Sequence, residues 1–300
     1  LQFDVFAQDV RSTARERQSL AVLGANFGIG APVNKEEHAA NLNPRVGLRW
    51  DLGDTQQLRL VAQRWRRPSS FGSLAPVDTL GVPLNDSLPA FGGKYERVRL
   101  QYDGEFDARW FLRAFLDREV VDNGLAGERS PSFSNMVDSL TALRARQQFF
   151  TAEPQIEQTP IFPDGSVSSA GLDLNLLLSA KQTLSARYVY RYGDNNSDNP
   201  AFDGEIPYIP HHYAEFGSQW TLPGRWLLRA DAVYHSRRFQ NDPGQAPAEA
   251  GWYFRLKSYW ETADKHHSVQ LVLDNLFLDG DTMIHEKRDQ YINLQYSYRL

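Results

Sequence analysis

The chain has 300 residues, 41% of them hydrophobic, a mean hydropathy of −0.51 and a formal net charge of −5. No run of about 18 apolar residues occurs, which excludes a transmembrane helix but not a membrane barrel, where only alternate residues meet lipid. The acidic balance argues against a general nucleic-acid binder. The absence of cysteine fits a cell-envelope protein that avoids stray disulfides.

Leu1 to Gln8 already reads as a strand, with neither an initiator Met nor a signal peptide before it. The chain is therefore expected to be part of a longer protein. Leu20 to Gly30 fits a strand or a loop. Next, Val46, Leu48 and Trp50 face away from Arg45, Gly47 and Arg49. A period of two is the mark of a strand with one apolar and one polar face. A tight turn follows over Leu52–Thr55, and then a long connection from about Arg67 to Gly93.

Val98, Leu100 and Tyr102 alternate with Arg97, Arg99 and Gln101 before a predicted turn over Asp103–Asp107. A second long connection runs from about Val121 to Val167, within which Thr141 to Thr151 reads as a hairpin arm or a helix. Leu172, Leu174, Leu176 and Leu178 then alternate with Asp173 and Asn175, Leu177 being the apolar exception. After a turn at Ser179–Lys181, Leu184, Ala186, Tyr188, Tyr190 and Tyr192 alternate with Ser185, Arg187, Val189 and Arg191. The remaining pattern is a long connection over Gly193–Pro210, a turn at Leu222–Gly224, alternation over Trp226–His235, and a long connection over Arg238–Ala250. Alternation over Trp252–Trp260 and a turn at Thr262–Lys265 come next. The chain ends in strict alternation, with Ile292, Leu294, Tyr296, Tyr298 and Leu300 opposite Asn293, Gln295, Ser297 and Arg299.

Short turns carrying Gly, Asp and Pro thus alternate with long polar connections. Together these predict an all-β fold over residues 1–300: an antiparallel transmembrane β-barrel of about eleven or twelve strands with short periplasmic turns and long extracellular loops. Leu174, Leu176, Leu228 and Ala230 are expected to face acyl chains, and Asn175 the lumen. Trp50, Trp110, Trp220, Trp226 and Trp260 lie beside tight turns, and Trp65 and Trp252 near long-loop ends, which predicts two aromatic belts. A soluble β-sandwich is the rival architecture. Its polar face looks outward, however, and rarely repeats a long arginine on so many strands.

Two stretches carry a family resemblance. Leu42-Asn43-Pro44-Arg45-Val46-Gly47-Leu48-Arg49-Trp50, followed by Leu58-Arg59-Leu60 and Arg66-Arg67-Pro68-Ser69-Ser70, resembles the mid-barrel region of TonB-dependent receptors. Val269-Gln270-Leu271-Val272-Leu273-Asp274-Asn275-Leu276-Phe277 resembles their penultimate strand. Barrels of export porins linked to tetratricopeptide repeats share such motifs, and Leu300 departs from the usual terminal Phe. The resemblance implies the C-terminal half of a receptor barrel of roughly 22 strands in the bacterial outer membrane. It also implies an upstream plug domain and an inner-membrane energising complex as partner. The ligand implied is a metal chelate or saccharide, and the alternative is export of a polymer through a plug-free pore.

Arg187, Arg191, Arg229, Arg255 and Lys257, with Asp231, share the expected inward parity on four successive strands, and they form the candidate ligand or ion path. Such a lumen favours anionic or polar solutes unless Asp173 and Asp231 neutralise the cations in cross-strand pairs. Three other groupings have the chemistry of a site. Asp194, Asn196, Asp198 and Glu205 occupy the first, third, fifth and twelfth places of a calcium loop. Asn199 stands at the sixth place instead of Gly and no helices flank it, so an ordinary acidic loop is favoured. His211-His212 with His235 could hold a transition metal, though polar filling at a rim is the commoner role of such pairs. Asp279, Asp281 and His285 have acid–base chemistry, but no serine nucleophile motif accompanies them. No metal, no cofactor and no catalytic residue is therefore expected, and the chain is not expected to be an enzyme.

Overall fold

The structure, a computed structural model, describes the backbone of residues 2–22, 25–66, 78–83, 93–122, 164–196, 204–207, 209–238, 247, 249–274 and 291–298. It describes their side chains from residue 43 onward, Tyr291 apart. The strands in chain order are β1 (Gln2–Val22), β2 (Ala25–Asp51), β3 (Gln56–Arg66), β4 (Asp78–Thr79), β5 (Val82–Pro83), β6 (Lys94–Phe106) and β7 (Trp110–Asp122). They continue as β8 (Asp164–Ser179), β9 (Gln182–Asn195), β10 (His212–Leu222), β11 (Trp226–His235), β12 (Gly251–Glu261), β13 (His267–Asp274) and β14 (Tyr291–Tyr298). Twelve of them form one antiparallel sheet in which each strand pairs with its neighbours in sequence, while β4 and β5 form a separate small hairpin. One continuous meander replaces the two packed sheets that a sandwich requires.

Of the ambiguous stretch Leu20 to Gly30, residues 20–22 belong to β1 and 25–30 to β2, and Leu20 pairs with Phe27 as Ser19 does with Gly28. Thr141 to Thr151 lies outside the described residues. The Leu177 exception stands next to a register shift between Leu177 and Ser179, just before the β8–β9 turn, where the two-residue phase breaks down.

The sheet inverts the usual distribution of polarity. Leu116 is 60% exposed, Leu294 71% and Ile292 69%, while Arg45 and Arg99 are each 1% exposed. In a soluble protein, charged side chains are rarely buried and contiguous apolar patches are small. Here one face is apolar and open, and the other carries the charged side chains, several of them buried. Leu60, Leu100, Leu116, Ala170 and Tyr190 run across successive strands as register partners on the open face. Leu174 and Leu176 share it through their pairing with Leu112 and Trp110, and Leu228 and Ala230 through theirs with Trp220 and Ser218. A contiguous apolar face of this kind is what a barrel wall presents to hydrocarbon.

Aromatic side chains border it at both ends. Trp50, Trp110 and Trp226 are exposed beside the short turns, and the Trp226 and Trp260 rings lie 6.1 Å apart. Tyr188, Tyr190, Tyr192 and Trp252 are exposed toward the long connections, with Tyr234 and Trp252 5.2 Å apart. Trp65 is the exception among the predicted belt residues. It is 1% exposed and has the parity of Val61 and Gln63, so it belongs to the polar face.

The β6–β7 turn also departs from the sequence reading. It covers residues 107–109, because Asp107 and Ala108 adopt φ of 53° and 50° without glycine. Gly104, which suggested an earlier turn, sits within β6. A Cβ there would come 2.8 Å from the Tyr102 hydroxyl and 2.9 Å from Phe106, so the two aromatics occupy its space.

The β12–β13 turn is held by Asp264, which accepts from the Thr262 hydroxyl and from the His266 backbone N–H at 3.1 Å. These donors, the Thr262 hydroxyl first, hold its carboxyl below the ordinary 3.8. A carboxylate depressed on folding contributes stability above its unfolded pKa and loses it as pH falls through the folded one. Asp264→Asn is therefore expected to weaken this turn at pH 7 and to leave it unchanged well below pH 3.8. Amide hydrogen exchange across residues 262–267 checks this; a deficit of equal size at both pH values would contradict it.

Candidate functional site

The polar face carries two ladders of charge, each formed because cross-strand neighbours share parity. The first joins β6 to β7. Arg97 donates through Nε to Asp117 at 2.9 Å and through Nη2 to the same carboxylate, and lies 3.6 Å from Glu119. Arg99 Nη1 reaches Asp117 at 3.3 Å, and the Tyr95 hydroxyl donates to Glu119 at 2.8 Å. The Arg99 guanidinium also lies 3.9 Å above the Phe115 ring, and Phe115 covers its register partner Gly171, where a Cβ would come within 2.2 Å of the ring. Lower on the face, Asp103 accepts from Arg59, from Gln101 at 2.9 Å and from Arg113 at 3.0 Å.

The second ladder runs from β8 to β13 and contains most of the predicted site. Arg187 donates to its register partner Asp173. Arg229 donates to Asp231 at 2.8 Å and to Glu215 at 3.3 Å. Arg255, opposite Asp231, donates to Asp274 at 3.3 and 3.4 Å. Lys257 stands opposite Arg229. Glu215 is the register partner of Arg187 and accepts from Arg229, so it links β9 to β11.

Five predicted residues, Arg187, Arg229, Asp231, Arg255 and Lys257, thus meet in one network. Arg191 shares their face but lies four residues further along β9, about 13 Å away at strand spacing. Its register partner is Ser169, and its backbone N–H donates to the His211 carbonyl at 2.8 Å.

This register corrects one expectation and answers a question that the sequence leaves open. The cations come from β9, β11 and β12, three strands rather than four successive ones, because β10 between them contributes Glu215. Three of the arginines also face carboxylates, so the face is a matched ladder and not a field of unopposed positive charge. Glu215 and Asp274 escape the sequence reading although both share the inward phase. Their role depends on register, which the positions of the tight turns determine.

Below the second ladder, near the short turns, the face holds a recess of about 460 Å³. Arg49, Asp103, Arg113, Asp173 and Arg187 are among its lining residues.

The histidine grouping does not assemble. His212 Nδ1 pairs with the Tyr188 hydroxyl at 2.7 Å on the apolar face, and His211 lies 3.5 Å from Glu205. His235 is buried with the opposite phase, near Tyr253. Among the described residues no group of three or more potential metal ligands occurs. Asn196 donates to Asp164 through its backbone at 3.1 Å. Asp198, Asn199 and Asp203 of the acidic loop lie outside the described residues, as do Asp279, Asp281 and His285.

Comparison with curated proteins gives no match. Among solved structures, the chain resembles the closed form of the ferric-catecholate import receptor Fiu of E. coli K12, with a TM-score of 0.51 at 15% identity over 92% of this chain and 37% of that one. It resembles the ferric yersiniabactin uptake receptor FyuA of Yersinia pestis, with a TM-score of 0.51 at 11% identity over 92% and 38%. The siderophore receptor PiuA of Acinetobacter baumannii gives a TM-score of 0.50 at 13% identity over 86% and 34%. The chain therefore spans little more than a third of the length of these neighbours, and at these identities the likeness is one of fold. The family model described as TonB dependent receptor-like, beta-barrel matches residues 3–276. With an apolar outer face, a charged inner face and that match over most of its length, the chain belongs to the TonB-dependent receptor-like β-barrel family of the bacterial outer membrane.

Proposed function

We propose that this chain forms part of the barrel wall of a receptor that takes up a small ligand across the outer membrane, and that the ligand is a metal chelate. The observation that carries the reading is the polar ladder over β8–β13, which offers fixed guanidinium and carboxylate groups to a hydrated solute. The likeness to Fiu, FyuA and PiuA, a ferric-catecholate, a ferric yersiniabactin and a siderophore receptor, supports a chelate over a saccharide. Arg187, Arg191, Arg229, Asp231, Arg255 and Lys257 line the path in this reading. Because the arginines are matched by carboxylates, recognition there works through oriented hydrogen bonds more than through net charge. Transport would draw its energy from an inner-membrane complex, and no catalytic step is involved.

The test is binding of ferric catecholate and ferric hydroxamate chelates to the purified full-length receptor, read by tryptophan fluorescence. Lys257→Met leaves the Arg229–Asp231 and Arg255–Asp274 pairs in place. It is expected to weaken chelate binding about tenfold or more, as loss of a charge-assisted hydrogen bond of roughly 1.5–3 kcal/mol requires. Binding of an acidic saccharide and of neither chelate would contradict the ligand class. Unchanged chelate affinity in Lys257→Met would contradict the path.

A further inference from the structure

The β4–β5 hairpin belongs to one of the long connections, yet it lies against the polar face deep along β2, β3 and β6. Its tip, Leu80-Gly81, takes φ of 50° and 73°, the geometry of a tight two-residue hairpin turn. Three inward side chains hold its backbone carbonyls. Arg59 Nη1 donates to Leu80 O, Gln63 Nε2 to Val82 O at 3.3 Å, and Arg97 Nη1 to Pro83 O at 2.8 Å. Gln63 also donates to the Thr79 hydroxyl at 3.0 Å. Arg59 and Arg97 are themselves fixed by Asp103 and Asp117, so the anchors are rigid.

The fit is close on both sides. A Cβ at Gly47 of β2 would come 2.6 Å from Leu80 Cδ1, and a Cβ at Gly81 would come 2.7 Å from Arg59 Nη1. Glycine therefore stands at both points where wall and hairpin approach most closely. Thr79 and Val82 are fully buried, and so is Val61 on the wall between Gly47 and Arg99. Arg59 lies only four residues from the β2–β3 turn, so the hairpin tip reaches the periplasmic half of the wall.

We infer that residues 78–83 form a built-in strap that closes the β2–β3–β6 side of the lumen to solute. Within this chain, solute contact is thereby confined to the uncovered ladder on β8–β13. The strap acts as a specificity determinant: it removes Arg59, Arg97 and Arg99 from the ligand's reach and leaves Arg187, Arg229, Arg255 and Lys257 available. This rests on the transport reading for its meaning, but its geometry is testable without any uptake.

This chain has no cysteine, so single and paired cysteines placed in it report cleanly in isolated outer membranes once any cysteine elsewhere in the full-length receptor is replaced by serine. Gly47→Cys with Leu80→Cys is expected to form a disulfide on mild oxidation, seen as a mobility shift reversed by reductant. Val61→Cys leaves the Arg59, Gln63 and Arg97 hydrogen bonds to the strap in place and is expected to react with a membrane-impermeant maleimide at least about tenfold more slowly than Ser169→Cys on the uncovered part of the polar face. Replacing residues 78–83 by an equally long Gly-Ser segment should bring the Val61→Cys rate up to that of Ser169→Cys. Absence of the disulfide, or equal labelling at both positions with the strap intact, would overturn the inference. Chelate binding reports separately on the transport reading, so either idea can fail without the other.

Discussion

Replacing Asp117 with alanine is expected to cost the fold about 3–5 kcal/mol, the penalty for stripping a buried ion pair of one partner. Asp117 accepts from both Arg97 and Arg99, and the Arg97 and Asp117 side chains are 1% and 5% exposed. Its loss takes from two buried guanidinium groups the carboxylate that they share. Replacing Arg97 and Asp117 together by Met and Leu removes one charge of each sign, and should recover a large part of the loss. The size of the recovery measures coupling within the ladder. Urea unfolding of the folded receptor in vesicles provides both values. A cost below about 1 kcal/mol for Asp117→Ala would mean that the ladder is wet and screened, as surface pairs are.

Leu116→Arg should be nearly as damaging, for the opposite reason. At 60% exposed, a leucine of a water-soluble protein could become arginine with a change of about 0.5 kcal/mol or less. On a lipid-facing strand the same change costs about 2–4 kcal/mol near the bilayer midplane. Leu116 lies between Leu100 and Ala170 on the open face, well inside the aromatic borders. Asn175→Arg, on the polar face beside the recess, is expected to be far milder. Equal tolerance at the two positions, measured by reversible folding into vesicles, would contradict the assigned facing.

Much of this architecture is legible in the chain because its chemistry repeats at short range. The alternation of Val98, Leu100 and Tyr102 with Arg97, Arg99 and Gln101 needs no tertiary knowledge, and parity alone identifies the inner face of Arg187, Arg229 and Arg255. What parity does not supply is register. Arg97 meets Asp117 because the turn falls on residues 107–109, and a turn placed around Gly104 would pair it with different residues. Non-glycine residues at positive φ leave little trace in composition, and so Asp107 and Ala108 do not announce the turn. The strap is harder still. Its strands are two residues each, too short for a periodic signal, and it docks through backbone carbonyls that any sequence carries. Trp65 is misleading for a related reason: its proximity to a long connection is visible in sequence, but the phase that puts it on the polar face is decisive.

The central claim is that one face of this sheet meets lipid and the other a polar interior. Site-directed spin labelling along β7 tests it most directly, with single cysteines at each position from Leu112 to Asp117 of the full-length receptor in bilayers. Oxygen concentrates in hydrocarbon and a charged nickel chelate in water. Collisions with oxygen are expected to peak at Leu112, Ala114 and Leu116 and to fall at Arg113, Phe115 and Asp117, with a period of two. A flat profile, or one in the opposite phase, would contradict the claim.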